Sequence, residues 1–274
     1  MPIQDLIEVA SGTVTGRDHT FCGNLVLGKP NQDAIATAWV KDAFVAVLCD
    51  GCSSGEHSEV GSNLFARMLL NDIIHLMNES RTLQSPGVFS FGDCAVWMNG
   101  QMNHVTFPGN APPYPGYRML PSDKVKINPE GMAFRCIRTS GLDIDVLNAA
   151  SGYVVCGLER IANLLSCVFV EEGISLRKTV ETYFLCTATV VIIDETILDF
   201  LPIVVGTDGL ADVPDPSVFL EDRMFANPAN VTRALRRMNQ PTARIGGDPP
   251  RLIKTDGALP DDTTLVAIRR KSCA

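Results

Sequence analysis

A continuous apolar run, Phe44-Val-Ala-Val-Leu-Cys49, halts at Asp50-Gly51 and gives way to a turn, Ser53-Ser54-Gly55. Uninterrupted apolar and β-branched residues predict a strand covered on both faces, with Asp50 held at its end. From Ser58 the period changes. Val60, Leu64 and Met68 recur at helical spacing while Arg67, Asn71 and His75 line another face, which predicts a helix to about Asn78. Upstream, Ile35-Ala-Thr-Ala-Trp39-Val40 reads as a strand, and Lys41-Asp42 as the turn of an antiparallel hairpin with the first run. That pairing brings Asp33 and Asp50 to the same end.

Residues 1 to 20 predict a first strand and a polar connection, Gly16-Arg17-Asp18-His19. Between 81 and 141, Gly, Pro and aromatic residues dominate, and Pro108, Pro112, Pro113, Pro115 and Pro121 exclude regular helix or central strand around them. This stretch is expected to be an insertion or lid within a single domain spanning 1–274. A helix is predicted from about Asp143 to Glu172, with Leu147, Ala150, Val154, Leu158, Ile161 and Leu165 on one stripe. Thr187–Ile193 predicts a strand, Asp194-Glu195 a turn, and Pro202-Ile-Val-Val-Gly-Thr-Asp208-Gly209 a second apolar strand ending in Asp-Gly. Asp215-Pro216 and Asn227-Pro228 each pair an N-cap with a proline at the first helical position, predicting a short helix and another through about Asn239. A Gly/Pro-rich loop ends at Asp261-Asp262, and Thr263 to Arg270 closes the chain as a strand.

With 274 residues, 46% of them apolar, the chain has ample core for one large domain. Its net charge of -8 and scattered basic residues argue against nucleic acid or an anionic membrane as partner. No apolar run reaches the roughly 18 to 20 residues of a membrane span, and no basic-then-apolar leader opens the chain. A cytoplasmic monomer is expected. The nine cysteines fall mostly in apolar runs and read as buried thiols, Cys49-x-x-Cys52 included.

Gly51-Cys52-Ser53-Ser54-Gly55 fits the spacing of a serine-hydrolase nucleophile elbow, which would make Ser53 a nucleophile. That reading needs a later histidine, yet the histidines are His19, His57, His75 and His104, and the 170 residues after His104 contain none. A different pattern is stronger: Asp33, Asp50, Asp208 and Asp261 all border strongly apolar strands. Carboxylates gathered together repel by about 4 kcal/mol per pair at 4 Å and an effective dielectric near 20. Divalent cations relieve this, and all-oxygen ligands suit Mg or Mn.

The order of Asn31-Gln32-Asp33-Ala34, Val45-Ala-Val-Leu-Cys-Asp50-Gly51, Thr187-Ala-Thr-Val-Val, Val205-Gly-Thr-Asp208-Gly209-Leu210-Ala211-Asp212 and Asp261-Asp262-Thr-Thr-Leu-Val resembles the metal-dependent protein phosphatase family, type 2C, and more closely its bacterial branch. The resemblance implies an α+β sandwich of two antiparallel sheets flanked by helices, with a two-metal centre at one edge. By motif position Asp33 and Asp50 would bind metal, Asp50 bridging, with the Gly51 carbonyl, Asp208 and Asp261 completing the site. It further implies a Mg2+- or Mn2+-dependent serine/threonine phosphoprotein phosphatase using a metal-bridging hydroxide on a phosphorylated protein substrate. The alternatives are a catalytically weak relative that binds a phosphorylated partner or metal as a regulatory module, and the serine hydrolase.

The chain departs from the family in three places. Gly28, with Lys29 beside it, stands where the family carries a phosphate-binding arginine, so Arg17, His19 and Lys29 are the candidates to replace it. Cys52 stands where many members have the histidine proposed as general acid, and His57 is the candidate stand-in. The family's Gly-Asp hairpin, whose aspartate helps hold a third cation, is expected between the Thr-containing strand and the second Asp-Gly strand. Here Asp194–Leu201 is too short for it. A weak or absent third site is therefore expected, Asp194 or Asp199 supplying its ligand only if the short turn points toward the metal edge, together with a narrowed sheet whose edge the 81–141 stretch covers.

Overall fold

The computed structural model describes residues 1–22, 25–26, 28–52, 55, 57–79, 87–107, 135–136, 186–246 and 251–271. Two five-stranded sheets dominate, and every pairing in them is antiparallel. The first comprises β1 (Ile7–Val14), β7 (Cys94–Met98), β8 (Gln101–Val105), β11 (Ile203–Gly206) and β14 (Thr263–Arg270), in the order β1-β14-β11-β7-β8. The second comprises β4 (Ala34–Val40), β5 (Ala43–Gly51), β6 (Gly87–Phe91), β9 (Arg135–Cys136) and β10 (Cys186–Ile193), in the order β4-β5-β10-β6-β9. Two short hairpins accompany them, β2 (Phe21–Cys22) with β3 (Leu25–Val26) and β12 (Thr242–Gly246) with β13 (Arg251–Thr255).

Side chains alternate across a strand, so a strand that is apolar throughout requires cover on both sides. On β5, Phe44, Ala46 and Leu48 point into the space between the sheets, where they meet Val96, Val205, Val266 and Ile268. Val45, Val47 and Cys49 point the other way, against Phe65, Leu69 and Ile73 of the helix Ser58–Glu79. The first sheet repeats this arrangement: Ala95, Val204, Leu265 and Ala267 pack on Phe219, Met224, Val231 and Leu235, which belong to short helical segments between Pro216 and Met238. The result is the sandwich flanked by helices that the motif order implied.

The predicted β4–β5 hairpin forms with Val40 opposite Ala43 and Ala34 opposite Cys49, and Lys41 takes φ +50° in its two-residue turn. Asp215 caps its helical turn through Ser217 N at 3.0 Å, with Pro216 at the first position. The helix expected through about Asn239 runs Asn230–Met238.

The 81–141 stretch departs from expectation. Its residues 87–105 are three strands built into both sheets, with β6 paired to β10 and β7 paired to β11. Asn99-Gly100 turns β7 into β8 with φ +53° and +78°, the left-handed pair that a two-residue hairpin needs. The expected narrow sheet is thereby corrected, since β6 takes the place beside β10. The remainder of 81–141, and the helix expected over 143–172, lie outside the described residues apart from β9.

Both Asp-Gly motifs end strands that press on neighbouring chain. A Cβ on Gly51 would stand 2.4 Å from the Gln32 carbonyl oxygen, and one on Gly209 would stand 2.1 Å from that of Asp262. Each glycine therefore seats its aspartate against the segment carrying another, Asp33 or Asp261. Gly209→Ala is expected to cost about 1–3 kcal/mol or more, because backbone cannot yield as a side chain can. Urea unfolding reads this directly, and an unchanged midpoint would refute the close packing.

Candidate functional site

The β4–β5 register places Asp33 and Asp50 side by side at one end of the second sheet, and Thr187 of β10 lies opposite Asp50. The corresponding end of the first sheet supplies Thr207-Asp208, after β11, and Asp261-Asp262, before β14. Thr207 joins the two ends: its hydroxyl donates to Asp33 Oδ2 at 2.7 Å and accepts from Thr264 N at 3.1 Å. Asp208 shares a hydrogen bond with Asp50.

The Asn31-Gln32-Asp33 motif is held by every residue in it. Asn31 donates to Thr13 Oγ1 at 2.6 Å and accepts from Asp33 N at 2.9 Å. Gln32 donates through Nε2 to Ser58 Oγ at 2.6 Å, and its carbonyl accepts from Ser62 Oγ at 2.5 Å. The start of the Ser58–Glu79 helix thus fixes the loop that carries Asp33.

Asp261 and Asp262 have different surroundings. Asp262 is buried and accepts from Gly16 N at 2.7 Å and Gln32 N at 2.5 Å, clamping two loops. Asp261 is partly exposed and faces a cleft of about 660 Å³, together with His19, Lys29, His104, Asp208 and Asp212.

Electrostatics unite the acids. Burial, and then the charge of Asp262, holds the Asp33 carboxyl well above the usual range, while burial and Asp33 do the same to Asp50. Asp208 is raised by burial and by Asp261, partly offset by its hydrogen bond with Asp50. Asp93, between β6 and β7, is pushed up to about 6 by burial and then by Asp208. Its buried Oδ1 has no hydrogen-bond partner. A buried, unpartnered oxygen among carboxylates that raise one another's pKa is the environment that a hard divalent cation satisfies, and the all-oxygen donor set fits Mg or Mn.

The remaining expected residues are dispersed. His19 is buried, with Nδ1 2.9 Å from Asp262 Oδ1 and Nε2 3.6 Å from Asp261 Oδ1. The Asp262 contact raises its pKa against the opposing effect of burial. Despite the 2.9 Å approach its buried Nδ1 makes no hydrogen bond of good geometry, and His19, Asp261 and Asp262 bring ligand atoms within 4.8 Å of one another, a grouping that could hold a metal ion. Arg17 donates from Nη1 to the Gly257 carbonyl at 2.7 Å and from Nε to Asp18 at 3.1 Å. Lys29 alone among the phosphate-binding candidates is an exposed cation on the cleft.

His57 occupies an exposed turn, Nδ1 3.3 Å from Glu59 Oε1, and does not line the cleft. Ser53 lies outside the described residues. Asp194 caps its own helical turn through Thr196 N at 2.8 Å, and Asp199 pairs with Arg270 at 2.5 Å, so neither joins the acids. The sequence reading missed Asp93 and His104. Gly92-Asp93 between two apolar runs, with Asn99-Gly100 following, was the available signal for the first. His104, exposed on β8, carried none.

No helix among the described residues is long and apolar enough to cross a membrane. A family model described as protein phosphatase 2C matches residues 23–99. No curated protein matches. Solved structures with similarity include a chain of the bacterial stressosome, at 9% identity and TM-score 0.36, covering 96% of this chain and 99% of the other. RsbX in complex with magnesium aligns at 9% identity and TM-score 0.37, over 97% and 96%. A C. elegans sex determining protein aligns at 11% and 0.35, over 96% of this chain and 64% of its own. Scores this low bear on neither activity nor partners. The segment matched by the family model carries Asp33, Asp50 and Asp93, so the part of the chain that bears these three acids is similar to protein phosphatase 2C.

Proposed function

We propose that this chain is a Mg- or Mn-dependent phosphatase acting on phosphorylated serine or threonine in proteins. The observation that carries this reading is that the Asp50 carboxyl feels the charges of Asp33, Asp208, Asp93 and Asp261, and that Asp208 and Asp261 line a cleft that also presents Lys29 and His104. Asp33, Asp50, Asp208 and Asp261, with the Gly51 carbonyl, would hold two divalent cations. Asp93, in the link from β6 to β7 and so upstream of the Thr-containing strand, would supply the additional carboxylate that Asp194 and Asp199 do not. Such cations, when bound, supply the positive charge that a phosphoryl group needs for attack by water.

The chain's own residues divide the remaining work. Thr207 and Asp262 set the positions of Asp33 and of the loops around it. Lys29 offers a cation to phosphoryl oxygens entering the cleft. His104, on the cleft wall, takes the role sought in His57 and donates a proton to the departing serine or threonine oxygen. Cys52 and Gly28 at two family positions favour the second reading, a weakly catalytic module that retains phosphoprotein or metal binding.

Hydrolysis of p-nitrophenyl phosphate with Mn, set against EDTA and against a p-nitrophenyl ester, separates these readings from a serine hydrolase. Mn-dependent phosphate release is expected and ester cleavage is not; metal-independent ester cleavage would overturn the proposal. His57→Ala should stay within about twofold of the parent. His104→Ala should lose on the order of a hundredfold on a phosphopeptide, whose alkoxide leaving group needs the proton, and far less on the nitrophenyl ester of phosphate, whose leaving group does not. Equal losses on the two substrates would remove His104 from that role.

A further inference from the structure

Away from the acid cluster, a groove of about 290 Å³ opens between the helices Asp222–Phe225 and Asn230–Met238. Its wall carries Arg223, Arg233 and Arg237, and its floor is apolar, including Met224, Ala234 and Met238. We propose that this groove docks an acidic peptide segment of a partner protein, seating one aliphatic side chain on the floor with its carboxylates against the arginines.

The charge distribution carries the argument. The chain has a net charge of -8, yet this groove gathers three guanidinium groups. Arg233 and Arg237 stand four residues apart on one helical face, where like charges repel. Arg233 is held by a neutral partner, Nη1 donating to Asn230 Oδ1 at 3.1 Å, so its charge is positioned without being cancelled. Asn230 also donates to the Arg223 carbonyl at 2.5 Å, tying the two helices that form the groove. Among the described residues Arg237 has no ion pair, and Arg223 has only an exposed one, with Glu221 at 2.6 Å. A placement near the helix C-terminus suits Arg237 electrostatically, but it does not account for the apolar floor between the cations.

The floor selects the occupant. Methionine and alanine without an aromatic ring suit an aliphatic side chain better than a nucleobase, and methionine adapts its shape to what it receives. The volume suits one or two side chains, and guanidinium groups bind carboxylates in paired geometry. An extended acidic peptide satisfies all three features.

The test uses the full chain and a fluorescein-labelled peptide in which one Leu is flanked by Glu residues, read by anisotropy at low salt. Saturable binding is expected, weakened tenfold or more in Arg233→Gln/Arg237→Gln, and weakened comparably when the peptide's Leu is replaced by Ser. Arg236→Gln, on the same helix but outside the groove, should leave binding within about twofold. Circular dichroism and the melting temperature should be the same in all variants, which reports that they are folded. Absence of saturable binding, an Arg236→Gln effect equal to the double variant's, or indifference to the Leu would each overturn the proposal. None of these outcomes depends on whether the acid cluster is catalytic.

Discussion

Asp50→Asn is expected to abolish turnover while making the cation-free protein harder to unfold. Asp50 feels Asp33, Asp208, Asp93 and Asp261 in addition to burial, and all of these disfavour its charge. Asparagine keeps the shape and can still donate to Asp208, but it brings no negative charge into the cluster. Activity with Mn should fall a thousandfold or more, since a charged ligand common to the site is lost at no gain to the transition state. In EDTA at pH 8 the variant should melt several degrees above the parent. Roughly 2–4 °C per kcal/mol of relieved repulsion is the scale for a domain approaching this size. Persisting turnover would remove Asp50 from the centre, and a lower melting point in EDTA would show that the acids do not strain one another.

The stability of the cation-free protein should fall as pH rises from about 5 to 8, the reverse of the usual behaviour of paired carboxylates. Asp33, Asp50, Asp208 and Asp93 all have folded-state pKa values above the unfolded reference, near 3.9. Between the two values the folded state binds more protons than the unfolded state, so ΔG of unfolding decreases with pH. For Asp93 the window runs from about 4 to about 6 and is worth roughly 2–3 kcal/mol. Asp33 and Asp50, held well above the usual range chiefly by burial, act in the same sense. His19 acts in the same sense: its raised pKa contributes stability below its unfolded value, and that contribution is lost above its folded one. Mn should flatten the profile, because a cation replaces the protons and binds only the folded arrangement. Calorimetry from pH 5 to 8, with EDTA and with Mn, reads both effects. A cation-free melting temperature that climbs over this range would contradict the assigned burial of the acids.

Much of this site could be read along the chain. The Asp33–Asp50 juxtaposition followed from a seven-residue strand, a two-residue turn and a nine-residue strand, all local in sequence. His57 shows the opposite case, because seven residues from Asp50 in sequence is no measure of where a turn points, and it turned outward to Glu59. Motif position singled out Asp261 over its neighbour Asp262, but the physical difference between them came only from the amides of Gly16 and Gln32, which engage Asp262.

The strands and their ends were legible along the chain, because desolvation of a continuous apolar run and the close approach allowed by Asp-Gly are encoded within a few residues. The sequence also showed that the acids would need compensating charge. Which acids meet depended on how the two sheets assemble. Sheet order puts β7 beside β11 and β6 beside β10, and this carries Asp93 to Asp208 and His104 to the cleft across more than a hundred residues of chain. Neither Asp93 nor His104 has a local pattern that specifies a partner at that separation, since pairing between distant strands is set by which buried faces fit together in the assembled core.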